Sequence, residues 1–83
     1  SDAFLISARL SGANFTLADF RFADLTDADL NQAILRFADM GNADLEKATL
    51  SGAATGGVIW NNTICPDGTN SDSHTKGCED HLR

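Results

Sequence analysis

Large apolar residues recur along this chain at every fifth position, each preceded two places earlier by a small one. Leu5, Leu10, Phe15, Phe20, Leu25, Leu30, Leu35, Met40, Leu45 and Leu50 keep the beat without a gap. Ala3, Ala8, Ala13, Ala18, Ala23, Ala28, Ala33, Ala38, Ala43, Ala48 and Ala53 keep it two places ahead. Five residues of α-helix turn about 500°, so successive large side chains would point about 140° apart and scatter around the cylinder. Five is odd, so in a continuous strand they would alternate between the two faces, leaving half in water. Both elements are excluded. A chain that turns a corner once per repeat escapes the difficulty, because every short side then aims its large residue and its alanine at one interior. The pattern predicts a solenoid. Each side reaches at most about 16 Å, so the interior is narrow. One large side chain fills the middle, and only a methyl fits at the second inward position. Coils stacked about 4.8 Å apart satisfy one another's backbone through ladder hydrogen bonds.

The units "ANFTL", "ADFRF", "ADLTD", "ADLNQ", "ADMGN" and "ADLEK" share the motif A-[D/N]-[L/F]-x-x. From Ala3 to about Gly57 the chain resembles the pentapeptide repeat family. Periodicity alone leaves the number of sides open, since "RFADL" and "RFADM" recur fifteen residues apart and would suit three. The resemblance implies an all-β fold, a right-handed, four-sided parallel β-helix with four repeats to a coil. On that expectation residues 1–60 form just under three coils and residues 61–83 a loop-rich C-terminal cap. Arg9, Ile34 and Thr49 depart from the Asp or Asn of the motif, and Thr55, where Leu is due, marks the repeat's end.

With four sides, residues twenty apart stack. Leu5, Leu25 and Leu45 form one interior column, Leu10, Leu30 and Leu50 a second, and Phe20, Met40 and Trp60 a third. Trp60 is expected to close the last coil and lid the core. Facing outward, Leu17 and Phe37 form an exposed apolar pair on one side with Phe22 on the next, which makes these three the candidate partner face. Nothing precedes Ala3 to cover the first coil, and an uncovered coil end is a template for pairing. A homodimer through that end is therefore expected unless the natural chain is longer.

The tail "VIWNNTICPDGTNSDSHTKGCEDHLR" changes character: it is polar and holds the only Pro, both Cys and both His. Pro presets one turn position and Asp-Gly supplies the next, so "CPDGTNSD" reads as loop. A disulfide between Cys65 and Cys78 would remove roughly 3 kcal/mol of unfolded-state entropy in the chain-entropy account. It would place the protein in an oxidising, extracytoplasmic compartment: a periplasm, a thylakoid lumen or the extracellular medium. A zinc site from Cys65, His74, Cys78 and His81 is the rival, with the right ligand types but without the close ligand pairs such sites use. A calcium loop from Asp67, Asn70 and Asp72 lacks both the ligand register and the closing bidentate Glu.

Charge narrows the function. The chain has 83 residues, with six basic against twelve acidic side chains and a formal net charge of -6. That balance argues against nucleic-acid or anionic-membrane binding, which reward clustered Lys and Arg. No run approaches the roughly 18 apolar residues of a membrane-spanning helix. The chain does not begin with Met, so a leader removed in maturation and a shortened chain are both compatible with it. No His lies among the repeats to serve a nucleophile, and Gly56-Gly57 lacks phosphate-loop spacing, so neither enzymatic activity nor a cofactor is expected. Asp19, Asp24, Asp29, Asp39 and Asp44 occupy one repeat position, where a short acceptor bonds local backbone N–H groups. The sequons at Asn14 and Asn61 matter only in a eukaryotic secretory setting. The leading reading is a non-enzymatic scaffold that offers rigid, flat faces to an unidentified protein partner. The alternative is an acidic imitation of duplex DNA acting on a DNA-binding enzyme such as gyrase, as some members of the family do.

Overall fold

The computed structural model describes residues 2–82, and the five-residue units from Ala3 to Gly57 repeat one backbone gesture. In the first unit the Leu5 N–H donates to the Asp24 carbonyl, the Asp24 N–H to the Ala3 carbonyl, and the Ser7 N–H to the Thr26 carbonyl, all at 2.8–2.9 Å. Parallel bridges join Phe4 to Asp24, Asp24 to Asp44 and Asp44 to Ile64, so a coil is twenty residues long. The corner follows at once: the Ala8 N–H donates back to the Leu5 carbonyl, and Ser7 has a φ of +58°. Positive φ recurs at Gly12, Leu17 and Phe22 before the coil returns to its start, which gives four corners. We number the sides 1 to 4, beginning in the first coil at Ala3, Ala8, Ala13 and Ala18.

Among the described residues the ladder consists of isolated bridges, with no longer strand. The cause is length, since the corner takes two of every five residues and leaves one at the centre of each side to pair. The fold is β in its bonding and turn-like in most of its backbone.

Leu25, Leu30, Leu35, Met40 and Leu45 are fully buried with Ala28, Ala33, Ala38 and Ala48 between them. First-coil residues at the same positions, Ala3, Leu5, Leu10 and Phe15, are only partly buried, because no rung lies above them in the structure. Phe15 and Phe20 meet edge to face there with ring centroids 5.1 Å apart.

The stack runs further than the break at residue 60 expected from composition. Ala54 bridges Ile34, Ile59 bridges Asp39 and Ile64 bridges Asp44, and the Lys47 N–H reaches the Pro66 carbonyl at 2.9 Å. The first column thus has four members, and the solenoid exceeds three turns where just under three were expected. Thr55 does not end the repeat. The beat continues because Thr63 takes an alanine place and Cys65 a leucine place, both fully buried. The Thr63 hydroxyl donates to the Met40 carbonyl at 2.8 Å, so its polar atom is satisfied inside the core.

Position within the stack therefore sets the cost of a cavity. Leu30→Ala, with rungs on both sides, is expected to destabilise by about 3 kcal/mol, and Leu10→Ala, on the open rung, by less than about half of that. Urea unfolding of the two variants decides it, and equal losses would contradict the end-coil picture.

Candidate interaction face

Two places on the molecule concentrate chemistry: side 4 with its corners, and the cap. Side 4 carries Asp19 and Asp39 stacked in adjacent coils, with Ile59 below them. Each Asp accepts the backbone N–H two residues on, from Arg21 at 3.0 Å and from Gly41 at 2.9 Å, so the repeat's acidic position pins its own corner. Arg21 lies across the pair. Its guanidinium donates twice to Asp19, Nε to Oδ1 and Nη2 to Oδ2, both at 2.9 Å, and reaches Asp39 at 4.0 Å. Those side-chain hydrogen bonds, followed by the Arg21 N–H, hold the Asp19 carboxyl well below the usual carboxylate range. Gly41 leaves room for this arrangement, since a Cβ there would sit 3.1 Å from Asp39 Oδ1 and 3.6 Å from Arg21 Cγ.

The corners flanking side 4 hold Leu17 and Phe37 on one edge and Phe22 on the other. All three are exposed, at 75, 59 and 56%. All three also have left-handed backbone, with φ of 65°, 60° and 63°. A residue with a Cβ costs about 1–2 kcal/mol more in that conformation than in the right-handed one, which is why glycine and asparagine suit it. Gly12, Gly52, Gly57, Asn42 and Asn62 fill equivalent corners, as do Ser7, Asp27, Gln32 and Lys47. The Phe37 ring lies over Gly57, where an added Cβ would come within 2.4 Å of the ring. Side 3 continues the apolar surface through Ile34 and bears no carboxylate along its outward columns.

The cap joins back onto the end of the stack. Cys65 and Cys78 form a disulfide with Cα atoms 5.4 Å apart, and both are fully buried. Neither sulfur is a thiolate, so the zinc set of Cys65, His74, Cys78 and His81 is not assembled. Asp67, Asn70 and Asp72 do not converge: Asp67 accepts from Thr69, Asn70 from the Asp72 N–H, and Asp72 from the Asn62 N–H. Among the described residues no group of three or more His, Cys, Asp and Glu is arranged to hold a metal ion.

Trp60 packs half-buried against the core beneath Gly77, whose missing side chain is required because a Cβ would fall 2.5 Å from the ring. Glu79 ties the two together, accepting from Trp60 Nε1 and from the Thr55 hydroxyl at 2.8 Å each. His74 and His81 stack with ring centroids 3.7 Å apart, and His81 Nδ1 lies 2.6 Å from Asp67 Oδ2. The Thr69 hydroxyl and N–H, and then His81, bring the Asp67 carboxyl down to about 2. Sequence reading missed Thr63, Gly77 and Glu79 as cap residues. Only Thr63 carried a signal, its place on the five-residue beat.

The fold and its repeating unit define a β-solenoid assembled from pentapeptide sides. The chain belongs to the pentapeptide repeat family, whose profile, "Pentapeptide repeats", matches in 8 copies over residues 1–36 and 13–52. Among solved structures it is similar to HetL, a pentapeptide repeat protein involved in heterocyst differentiation regulation from the cyanobacterium Nostoc sp. strain PCC 7120. The two share 36% identity and superpose with a TM-score of 0.70 over 81% of this chain and 34% of HetL, so the chain spans about a third of that relative. No curated protein matches it.

Asp67 makes the cap acid-sensitive. Its folded pKa lies below the ordinary 3.8, so its contribution is complete above that value and is lost as the pH falls towards about 2. Asp67→Asn is expected to melt below the wild type at neutral pH, with the gap closing between pH 3.8 and about 2. A gap independent of pH would rule out this role.

Proposed function

We propose that this chain is a non-enzymatic, right-handed, four-sided β-helical scaffold that presents side 4 and its apolar corners to a protein partner in an extracytoplasmic compartment. The observation that carries the reading is the backbone at Leu17, Phe22 and Phe37. The other left-handed corners of the stack hold glycine or polar residues, and these three alone carry large apolar side chains, turned outward. Between them the Asp19–Arg21–Asp39 cluster supplies a charged centre with fixed geometry. An apolar rim around a bidentate ion pair offers a partner both buried area and direction. HetL is involved in regulation, a role that a rigid binding surface can serve.

The disulfide supports a periplasm, a thylakoid lumen or the extracellular medium, where such bonds persist. DNA imitation finds less support. Asp24 stacks on Asp44 and Asp19 on Asp39, so these acidic columns are two rungs tall, and Arg21 lies across the second.

A photo-crosslinking amino acid at Phe37, in the native host, is expected to yield one defined protein adduct, whereas the same probe at Gln32 on side 2 yields none. Equal labelling at both positions would remove side 4 as the binding face. In parallel, protein from its native source is expected to show no free thiol and to leave gyrase supercoiling unaffected at high micromolar concentration. Free Cys65 and Cys78 thiols would return the protein to a reducing compartment, and inhibition of supercoiling would revive the DNA-imitating alternative.

A further inference from the structure

Charge is spread unevenly over the four sides of the solenoid. In the first three coils side 1 carries Asp24, Asp27, Asp44 and Glu46 against Lys47, side 2 sets Arg9 against Asp29, and side 4 sets Asp19 and Asp39 against Arg21. Side 3 is the exception. Across residues 13–17, 33–37 and 53–57 its single charged group is Arg36, so in a chain of net charge -6 this side alone is net positive. Arg21 spends its guanidinium on Asp19 and Asp39. Arg36 is exposed, and among the described residues its guanidinium makes no hydrogen bond or ion pair. Glu79, the cap carboxylate that reaches this side, accepts from Thr55 and Trp60 instead.

Apolar groups flank that cation along its own rung, with Ile34 36% exposed and Phe37 59%. The rung lies inside the stack. The Ile34 N–H donates to the Ala13 carbonyl on one side, and the Leu35 N–H donates to the Ala54 carbonyl on the other, both at 2.8 Å. What Ile34, Arg36 and Phe37 expose is therefore turned sideways, out of the solenoid wall. In the next coil the wall steps back to Ala54 and Gly56. An added Cβ at Gly56 would meet nothing within 4 Å, so the Arg36 side chain does not fold down over it.

We propose that side 3 docks an acidic, apolar segment of a protein partner, whose Asp or Glu carboxylate accepts from the Arg36 guanidinium while neighbouring apolar side chains rest on Ile34 and Phe37. The inference rests on the scaffold reading and extends it, carrying the contact from side 4 around the corner at Leu17 and Phe37 and naming the partner's chemistry. Charge complementarity selects that chemistry. A basic segment would be repelled by Arg36, and a wholly apolar one would strip water from a guanidinium that it could not pair. A carboxylate accepts two guanidinium N–H groups at once. Apolar contacts on either side then exclude water, and the pair forms in a lower dielectric than it would on an open surface.

A photo-crosslinking amino acid at Gly56, where an added side chain has room, is used in the native host beside the probe at Phe37. Both positions are expected to trap the same protein, and the peptide trapped at Gly56 is expected to hold Asp or Glu next to Leu, Ile, Val or Phe. With that partner purified, Arg36→Glu is expected to weaken binding at least about tenfold. Its Tm is expected to match the wild type, because the Arg36 side chain bonds nothing in the fold among the described residues. Changing the trapped carboxylate residue to Arg is expected to restore binding to Arg36→Glu, a repair that a structural defect would not allow. An adduct at Phe37 with none at Gly56 leaves the scaffold reading standing and overturns this one, whereas no adduct at either position overturns both. A trapped segment without a carboxylate, a trapped second copy of this chain, or an Arg36→Glu variant that binds like the wild type also overturns the proposal.

Discussion

The ladder from one coil to the next, twenty residues on, is the constraint from which the rest of this protein follows. Each side must hold one residue straight enough to bond the coil above and the coil below, then turn within two residues. A side that short encloses an interior one large side chain wide. Leucine or its equivalent fills the middle, and the neighbouring inward place takes a small residue, alanine through most of the stack and Thr63 in its last coil. Interior composition, corner conformation and the acceptor role of the aspartates are thus three aspects of one geometric limit, and loosening any of them would open the ladder.

Because a coil touches only its neighbours, the two ends of the stack face different physical problems. At the C-terminal end the interior closes through Trp60, Gly77 and Glu79, while the Cys65–Cys78 bond ties the covering loop to the last rung. At the N-terminal end the same Leu and Phe positions stay partly open. Within the described residues burial therefore differs along the stack, even though the repeats are nearly identical.

Much of this was legible in the sequence. The five-residue beat excluded helix and strand on angular grounds and named the interior positions from Phe20 to Leu50, because burial on such a scaffold follows register, but the named positions did not extend to Thr63 and Cys65. The end of the beat was harder to read. Thr55 and the polar run after Trp60 resembled a stop, yet the ladder passes them, since one rung's bonds do not depend on the identity of a single inward side chain. The aspartates were legible as local acceptors. Which Asp would meet which Arg was not, because Arg21 reaches back to Asp19 on its own side and across to Asp39 on the next coil. The cap was least legible: Gly77 matters for lying flat on an indole seventeen residues earlier in the chain, and no local pattern announces that.

The left-handed corner has a wider consequence. Of the five places in the repeat, it is the one where the scaffold's own preference, for glycine or asparagine, is opposed to size and hydrophobicity. The other four answer to the interior, the ladder or the turn. In this chain that place holds glycine or a polar residue except at Leu17, Phe22 and Phe37, so the corners, read in order, show where the coil turns apolar groups to its surface.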